Sequence, residues 1–325
     1  MEKFRDGITC LGILARLIYS RVKNIASVTY RRISHVIQSK PTLEGAGVKL
    51  RRAFGNPELA PLFDPFLLLD DFGSRFPHEY LAGFPWHPHR GIVTVTYLIK
   101  GEVHHEDSTG TKGILRGGDI QWMTAGSGIF HSEMPKPLMN QESGEIEDPE
   151  MRGLQLWINL PARQKMVVPS YKNLLSKSVP KATLDNGTVV KVFAGEIKHI
   201  PGIGNLAGPI ADNNVEPRYF DVTVPEHSDV EFVVKKGYTA FVYVSEGEAI
   251  FDKESKAKVG EKSVVLYERE GDTIRVITED SAVHFLLLSG KPLGEPVAWY
   301  GPIVMNTDAQ ILLALQELRN GSFIK

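Results

Sequence analysis

The stretch Thr94 to His104, TVTYLIKGEVH, decides the fold class, because the chain writes it a second time in outline. Val93, Val95, Tyr97 and Ile99 alternate onto one face of an extended segment, and β-branched and aromatic side chains dominate until Gly101 interrupts the run. Phe241 to Phe251, FVYVSEGEAIF, repeats that texture around Gly247, 146 residues after Gly101. The turn Gly260-Glu261 follows Gly118-Asp119 by 142 residues in the same way. Two copies of one β unit are the simplest explanation.

The sequence around these anchors agrees. From about Arg32 onward, short β-rich runs alternate with Gly, Pro and Asp clusters, and helical periodicity is scarce. GILRGGDIQWMTAG, Gly113 to Gly126, places a turn before an apolar strand, and GLQLWINL, Gly153 to Leu160, adds another. Many short strands at this spacing predict an all-β sandwich or barrel. Between the copies, Asn186-Gly187 is a hairpin-type turn that leads into a Gly/Pro-rich segment expected as an exposed loop. The last element, Thr307 to Asn320, reads as an amphipathic helix with Thr307 as N-cap and Gly321 as its stop.

Composition narrows the function classes. With 325 residues, 42% hydrophobic and 23% charged, the chain is a folded one, large enough for two domains or one large barrel. A net charge of −2 and a pI near 6.6 give no basic surface for nucleic acid, so direct nucleic-acid binding is not expected. Cys10 stands alone, which excludes an internal disulfide framework and any multi-cysteine zinc site. Residues 1–31 read as an N-terminal extension, disordered or helical. They hold no acid after Asp6 but carry Arg16, Arg21, Lys23 and Arg31. The apolar run Ile8 to Ala15 is far short of the roughly 20 residues a membrane span needs. The expected compartment is cytoplasmic, with organelle targeting by the basic stretch left open.

Chemistry concentrates in two short motifs. Phe84 to Gly91, FPWHPHRG, sets His87 and His89 at i and i+2, so both point to one side of an extended segment. Gly128 to Pro135, GIFHSEMP, does the same with His131 and Glu133. Two strands from opposite walls of a small barrel would bring the pairs together inside it. Three imidazoles and a carboxylate suit one divalent non-haem metal with open positions, iron first, with manganese, nickel, copper or zinc as alternatives.

These motifs carry a resemblance. Gly47 to Phe72, GVKLRRAFGNPELAPLFDPFLLLDDF, together with FPWHPHRG, HHEDSTG, GGDIQWMTAGSGIFHSEMP, LQLWINLPARQKMVVPSY and GPIVMNT, resembles the pirin family of bicupin proteins from about Arg32 to Asn320. The resemblance implies two antiparallel, jelly-roll-type β-barrels packed face to face, an N-terminal one over 32–165 and a C-terminal one over 166–325 with the short helix. It implies an iron-type metal in the first barrel only, on His87, His89, His131 and Glu133. Relatives usually carry an acid just after H-P-H-R-G, where this chain reads Ile92-Val93-Thr94, so Glu133 is left as the carboxylate ligand. Across the repeat, His87 and His89 map by the 146-residue offset onto Val233 and Lys235, and His131 onto Thr273 or Ile274, none of which binds metal as histidine does.

For activity, the resemblance implies a quercetin (flavonol) dioxygenase-type oxidoreductase that uses O2 on a small aromatic substrate, with Glu133 taking the hydroxyl proton. The alternative it leaves open is a metal-dependent, redox-sensing regulator acting through protein partners. His105 is read as a group behind the ligands, its neighbour His104 facing the other way. Trp86, Trp122, Met123 and Phe130 are candidates to wall a pocket for a planar ligand, or else barrel packing. Arg90 is expected to pair with a neighbour, and Lys165-Met166 and GPIVMNT to make contacts between barrels. His227 and His284, each alone, read as structural.

Overall fold

The computed structural model describes residues 28–325 apart from positions 141, 201, 213 and 255. The apolar run, Cys10 and nearly all of the basic extension therefore lie outside the described residues. No helix among the described residues is long and apolar enough to cross a membrane.

Ile92–Lys100, the strand of the opening repeat, lies inside a seven-stranded antiparallel sheet. The order runs Ser170–Leu174, Ile120–Thr124, Ile92–Lys100, Met151–Asn159, Phe66–Ser74, Val48–Phe54 and Lys40–Glu44. Its two faces do different things, as period-2 alternation requires. Val93, Val95 and Tyr97 enter a core shared with the second half of the chain, while Leu98 packs on the other face with Phe72, Val103 and Leu115. A four-stranded sheet in the order Phe84–His89, Ile129–Lys136, Glu102–Asp107 and Lys112–Arg116 covers that other face. The two sheets share no strand ladder among the described residues, so the first half is a jelly-roll-type barrel not closed by hydrogen bonding.

The second half repeats the plan as one ten-stranded sheet whose main path is Ile33–Gln38, Ser263–Tyr267, Thr239–Ile250, Val283–Gly290, Arg218–Val224, Val189–Ala194 and Lys181–Thr183. Thr239–Ile250 is a single strand where the first half uses two, Ile92–Lys100 and Glu102–Asp107. Gly101 and Gly247 sit at the matching bends with φ of +81° and +75°, a conformation that favours glycine. The Gly/Pro-rich segment is not all loop: Glu196–Ile200 and Gly204–Ala207 pair as a small hairpin.

Each half lends a strand to the other. Ile33–Gln38 pairs with Ser263–Tyr267 in the second sheet, and Ser170–Leu174 pairs with Ile120–Thr124 in the first. One hydrophobic core joins them, with Phe241 of the second half at its centre. Phe54 and Phe63 stack at 3.8 Å, and Phe241 meets Phe54, Phe63 and Phe66 edge-on at 5.3, 5.6 and 5.1 Å. At the border of this core the Tyr97 hydroxyl donates to Asp221. Asp221 also faces His284 Nε2 at 3.0 Å, and His284 Nδ1 meets Ser245 Oγ at 2.6 Å. His284 is thus committed to fastening the halves together.

The helix Asp308–Arg319 begins with a capping box, Thr307 accepting from the Gln310 amide, and Gly321 follows it at φ +71°. Arg90 ties this C-terminal segment to the first half. Its guanidinium is 2% exposed and donates to the Ser127 carbonyl (2.7 Å), Glu317 Oε2 (2.6 Å) and the Phe323 carbonyl (2.7 Å), with the Phe323 ring 4.1 Å away.

Candidate metal centre

Phe84–His89 can hold two prolines because it is an edge strand, where a missing N–H costs no ladder bond. His87 and His89 consequently alternate inward as the i, i+2 spacing predicts. Their partner strand is the immediate neighbour: His131 lies directly across from His87, and Ile129 from His89. The expectation of two opposite walls is corrected here, since the pairs share one sheet and meet by cross-strand adjacency. A register shift between His131 and Glu133 sets Glu133 opposite Phe84.

One ring nitrogen from each of His87, His89 and His131 lies within 4.8 Å of the other two. Among the described residues they form the one such cluster. His87 Nδ1–H donates to the Pro85 carbonyl at 2.8 Å, which leaves Nε2 as the lone-pair atom, 3.1 Å from His89 Nε2. His89 Nδ1 and both nitrogens of His131 are buried without a hydrogen-bond partner. Burial, reinforced by the neighbouring imidazoles, pushes His89 and His131 well below the usual histidine range, so both are neutral donors of electron pairs. His87 Nε2 and His89 Nε2 face one another beside a His131 ring that has no hydrogen-bond partner, and neutral imidazoles meeting in this way are what a cation needs and what a purely structural cluster would avoid. The residues present fit a metal.

Glu133 is close but held apart. Its Oε1 is 2.9 Å from the Thr96 hydroxyl, and Oε2 is 3.9 Å from His131 Nε2. Thr96 Oγ1 also lies 2.6 Å from Gln155 Oε1. One hydroxyl proton cannot serve both acceptors, so the Gln155 amide is better turned to donate to Thr96, which then donates to Glu133. Burial raises the Glu133 carboxyl, partly offset by His87 and Thr96.

A cavity of about 670 Å³ opens from this cluster. His87, His89 and Glu133 lie on its wall, with Trp86, Phe84, Trp157 and Trp299 among the apolar side chains. Trp86 is therefore on the wall, but Trp122, Met123 and Phe130 are not. Trp122 lies opposite Val95 and shares its face toward the inter-half core. Met123 packs with Ile92 and Ile129, and Phe130, one residue from the inward His131, points out against Phe323 at 5.6 Å. Phe84 escaped the sequence reading because it lies three residues from His87, the opposite face at period 2, and only the register shift between His131 and Glu133 brings it to the wall. Trp157 and Trp299 carry no local signal, because only the topology brings them to the site.

His105 faces inward beside Glu133 across the ladder and takes a 3.1 Å contact from the Gln121 amide, while His104 faces outward to Glu102. Lys165 is buried, its Nζ donating to the Gly91 and Val304 carbonyls and Asn159 Oδ1 at 2.9, 2.8 and 2.5 Å. It clamps the segment after His89 against Ile303–Met305, so GPIVMNT packs on the half that carries the three histidines.

Burial corrects the counterparts of His87 and His89 by one residue, to Phe232 and Val234, and Phe232 faces Ile274, one of the two expected counterparts of His131, as His87 faces His131. Val233 and Lys235 point to solvent. The three inward side chains are buried in the apolar core of the second half and offer no ligand atom.

The Pirin family model matches residues 47–158, and that of the Pirin C-terminal cupin domain matches 219–324. A pirin-like protein of Caulobacter vibrioides is 42% identical over 90% of this chain and 99% of its own length. Pirin of Homo sapiens is 38% identical over 89% of this chain and 93% of its own length. A solved structure of quercetin 2,3-dioxygenase from Acinetobacter baumannii superposes with a TM-score of 0.78 at 31% identity, covering 91% of this chain and 99% of that one.

Proposed function

Because the chain belongs to the pirin family, we propose that it is a quercetin-type dioxygenase in which His87, His89, His131 and Glu133 hold one divalent non-haem metal, with iron the first candidate. The observation that carries this reading is the convergence of three imidazoles, His131 among them without any hydrogen-bond partner, at the inner end of an aromatic-walled cavity sized for a small planar ligand. A relative of 31% identity with that named activity supports the substrate class.

A metal held by these residues would supply Lewis acidity toward a substrate oxygen and redox chemistry with O2. The chain supplies the rest. Trp157 and Trp299, with ring centres 6.2 Å apart, offer flat apolar surface to an aromatic ligand and exclude water around it. Thr96 fixes Glu133 Oε1, so Oε2 is the oxygen left to hold the metal and, once released from it, to accept the substrate's hydroxyl proton. Burial raises the basicity of that carboxylate toward the range a general base needs.

The test follows O2 consumption after quercetin is added to protein reconstituted with ferrous iron, beside a His87→Ala/His131→Ala variant. Uptake that requires metal and vanishes in the variant is expected. A protein that binds metal stoichiometrically yet consumes no O2 would overturn the enzymatic reading and favour a regulator acting through protein partners.

A further inference from the structure

A row of polar side chains crosses the floor of the first half. Strand register sets Arg52 opposite Asp70, Asp70 opposite Gln155, Gln155 opposite Thr96, and Thr96 opposite Gln121. The fold does not require this row. The same register positions in the second half are Val192, Phe220, Leu287, Val242 and Val265, all in its apolar core. The first half therefore keeps five polar groups where an equivalent framework packs five hydrophobic ones.

The row spans the cavity. Thr96 lies beneath Glu133, and Arg52 is three strand spacings away, about 14 Å. Arg52, Asp70 and Glu44 line the same cavity as His87. At their end the guanidinium donates to both Asp70 oxygens, at 2.8 and 2.7 Å, and reaches Glu44 at 2.9 Å. Two carboxylates around one guanidinium leave one net negative charge. Burial pushes the Asp70 carboxyl up, but the two bonds from Arg52 hold it ionised. Among the described residues Arg52 is the one Lys or Arg side chain on the cavity wall, and it is already neutralised twice. A ligand carboxylate arriving there meets no free cation. A ligand hydroxyl meets carboxylate oxygens whose positions Arg52 fixes.

The geometry points to a hydroxyl-binding subsite at Glu44, Asp70 and Arg52, which takes phenolic hydroxyls on the flavonol ring farthest from the histidines and rejects a carboxylate in their place. It rests on the flavonol reading above and adds to it a specificity device at the opposite end of the cavity.

Binding to zinc-loaded protein, which is redox-inert, isolates this end from turnover. Quenching of tryptophan fluorescence would report it, since Trp86, Trp157 and Trp299 line the cavity. The probes are galangin, kaempferol and quercetin, with no, one and two hydroxyls on the distal ring, and a flavonol carrying a carboxylate on that ring. Quercetin is expected to bind about tenfold tighter than galangin, the effect of a hydrogen bond to a charged acceptor. That ratio should fall below about threefold in Glu44→Ala and in Asp70→Asn. The carboxylate probe should bind no better than galangin to the native protein and should gain in Asp70→Asn. If Asp70→Asn does not fold, Glu44→Ala decides, because Glu44 stands at the rim and outside the core. Equal affinity for all three flavonols, an undiminished ratio in the variants, or preferred binding of the carboxylate would overturn the subsite alone. Failure of every flavonol to bind would remove the flavonol reading and the subsite with it.

Discussion

The two halves of this chain are the same framework filled in opposite ways. In the second, Val192, Phe220, Leu287, Val242 and Val265 line up across the sheet and the interior is packed dry. In the first, the corresponding Arg52, Asp70 and Gln155 line the cavity beside the histidines, while Thr96 and Gln121 meet Glu133 and His105. The difference teaches that strand register and turn geometry build the scaffold, while the identity of the inward residue at each register position decides whether the interior is a core or a site. The dry half and the shared core around Phe241 hold the wet half rigid, so its unpaired polar groups can persist.

Substitutions can break this comparison at several points. The largest effect is expected at the fastening of the C-terminal segment to the half that carries the three histidines. Glu317→Gln leaves the buried Arg90 without its anion, a loss of about 3 kcal/mol in denaturant unfolding. If stability is unchanged, the segment is not held by this pair. Next comes an exchange of residues between halves. Leu287→Gln puts an amide into the dry ladder and should lose about 2–3 kcal/mol, whereas Gln155→Leu in the wet ladder should change stability by less than about 1 kcal/mol. Equal costs in both directions would mean the first-half ladder is itself a packing device.

The smallest effect is a pH dependence. Burial lowers the Lys165 ammonium to about 7, against an ordinary 10.5 in the unfolded chain. Below pH 7 both states are protonated and the difference is flat. Above it the unfolded state binds more protons, so stability contributed by Lys165 rises with pH up to about 10.5. Relative to Lys165→Met, the native protein should gain about 1 kcal/mol between pH 7 and 8, measured by urea unfolding. A constant difference across that range would mean that the three acceptors hold Lys165 charged.

Much of this was legible in the sequence, for physical reasons that particular residues illustrate. The repeat around Gly101 and Gly247 was visible because left-handed bends need glycine and strands alternate with period 2. His87, His89, His131 and Glu133 could be selected because i, i+2 spacing puts each pair on one face. The offset slipped by one, from Phe232 to Val233, because insertions between strands change the count without changing the register. The assignment of Trp122 to the pocket failed on parity: Trp122 shares the face of Val95, and its neighbour Gln121 shares that of Thr96. The wall residues Trp157 and Trp299 were hidden because non-local topology alone brings them to the cavity.

The most direct test is the metal content of the purified, ferrous-iron-reconstituted protein beside His131→Ile, which gives the first half the residue of the second. One metal per chain in the native protein and none in a folded His131→Ile variant is the predicted result. Two metals per chain, or full occupancy in the variant, would contradict the assignment of a single site to the first half.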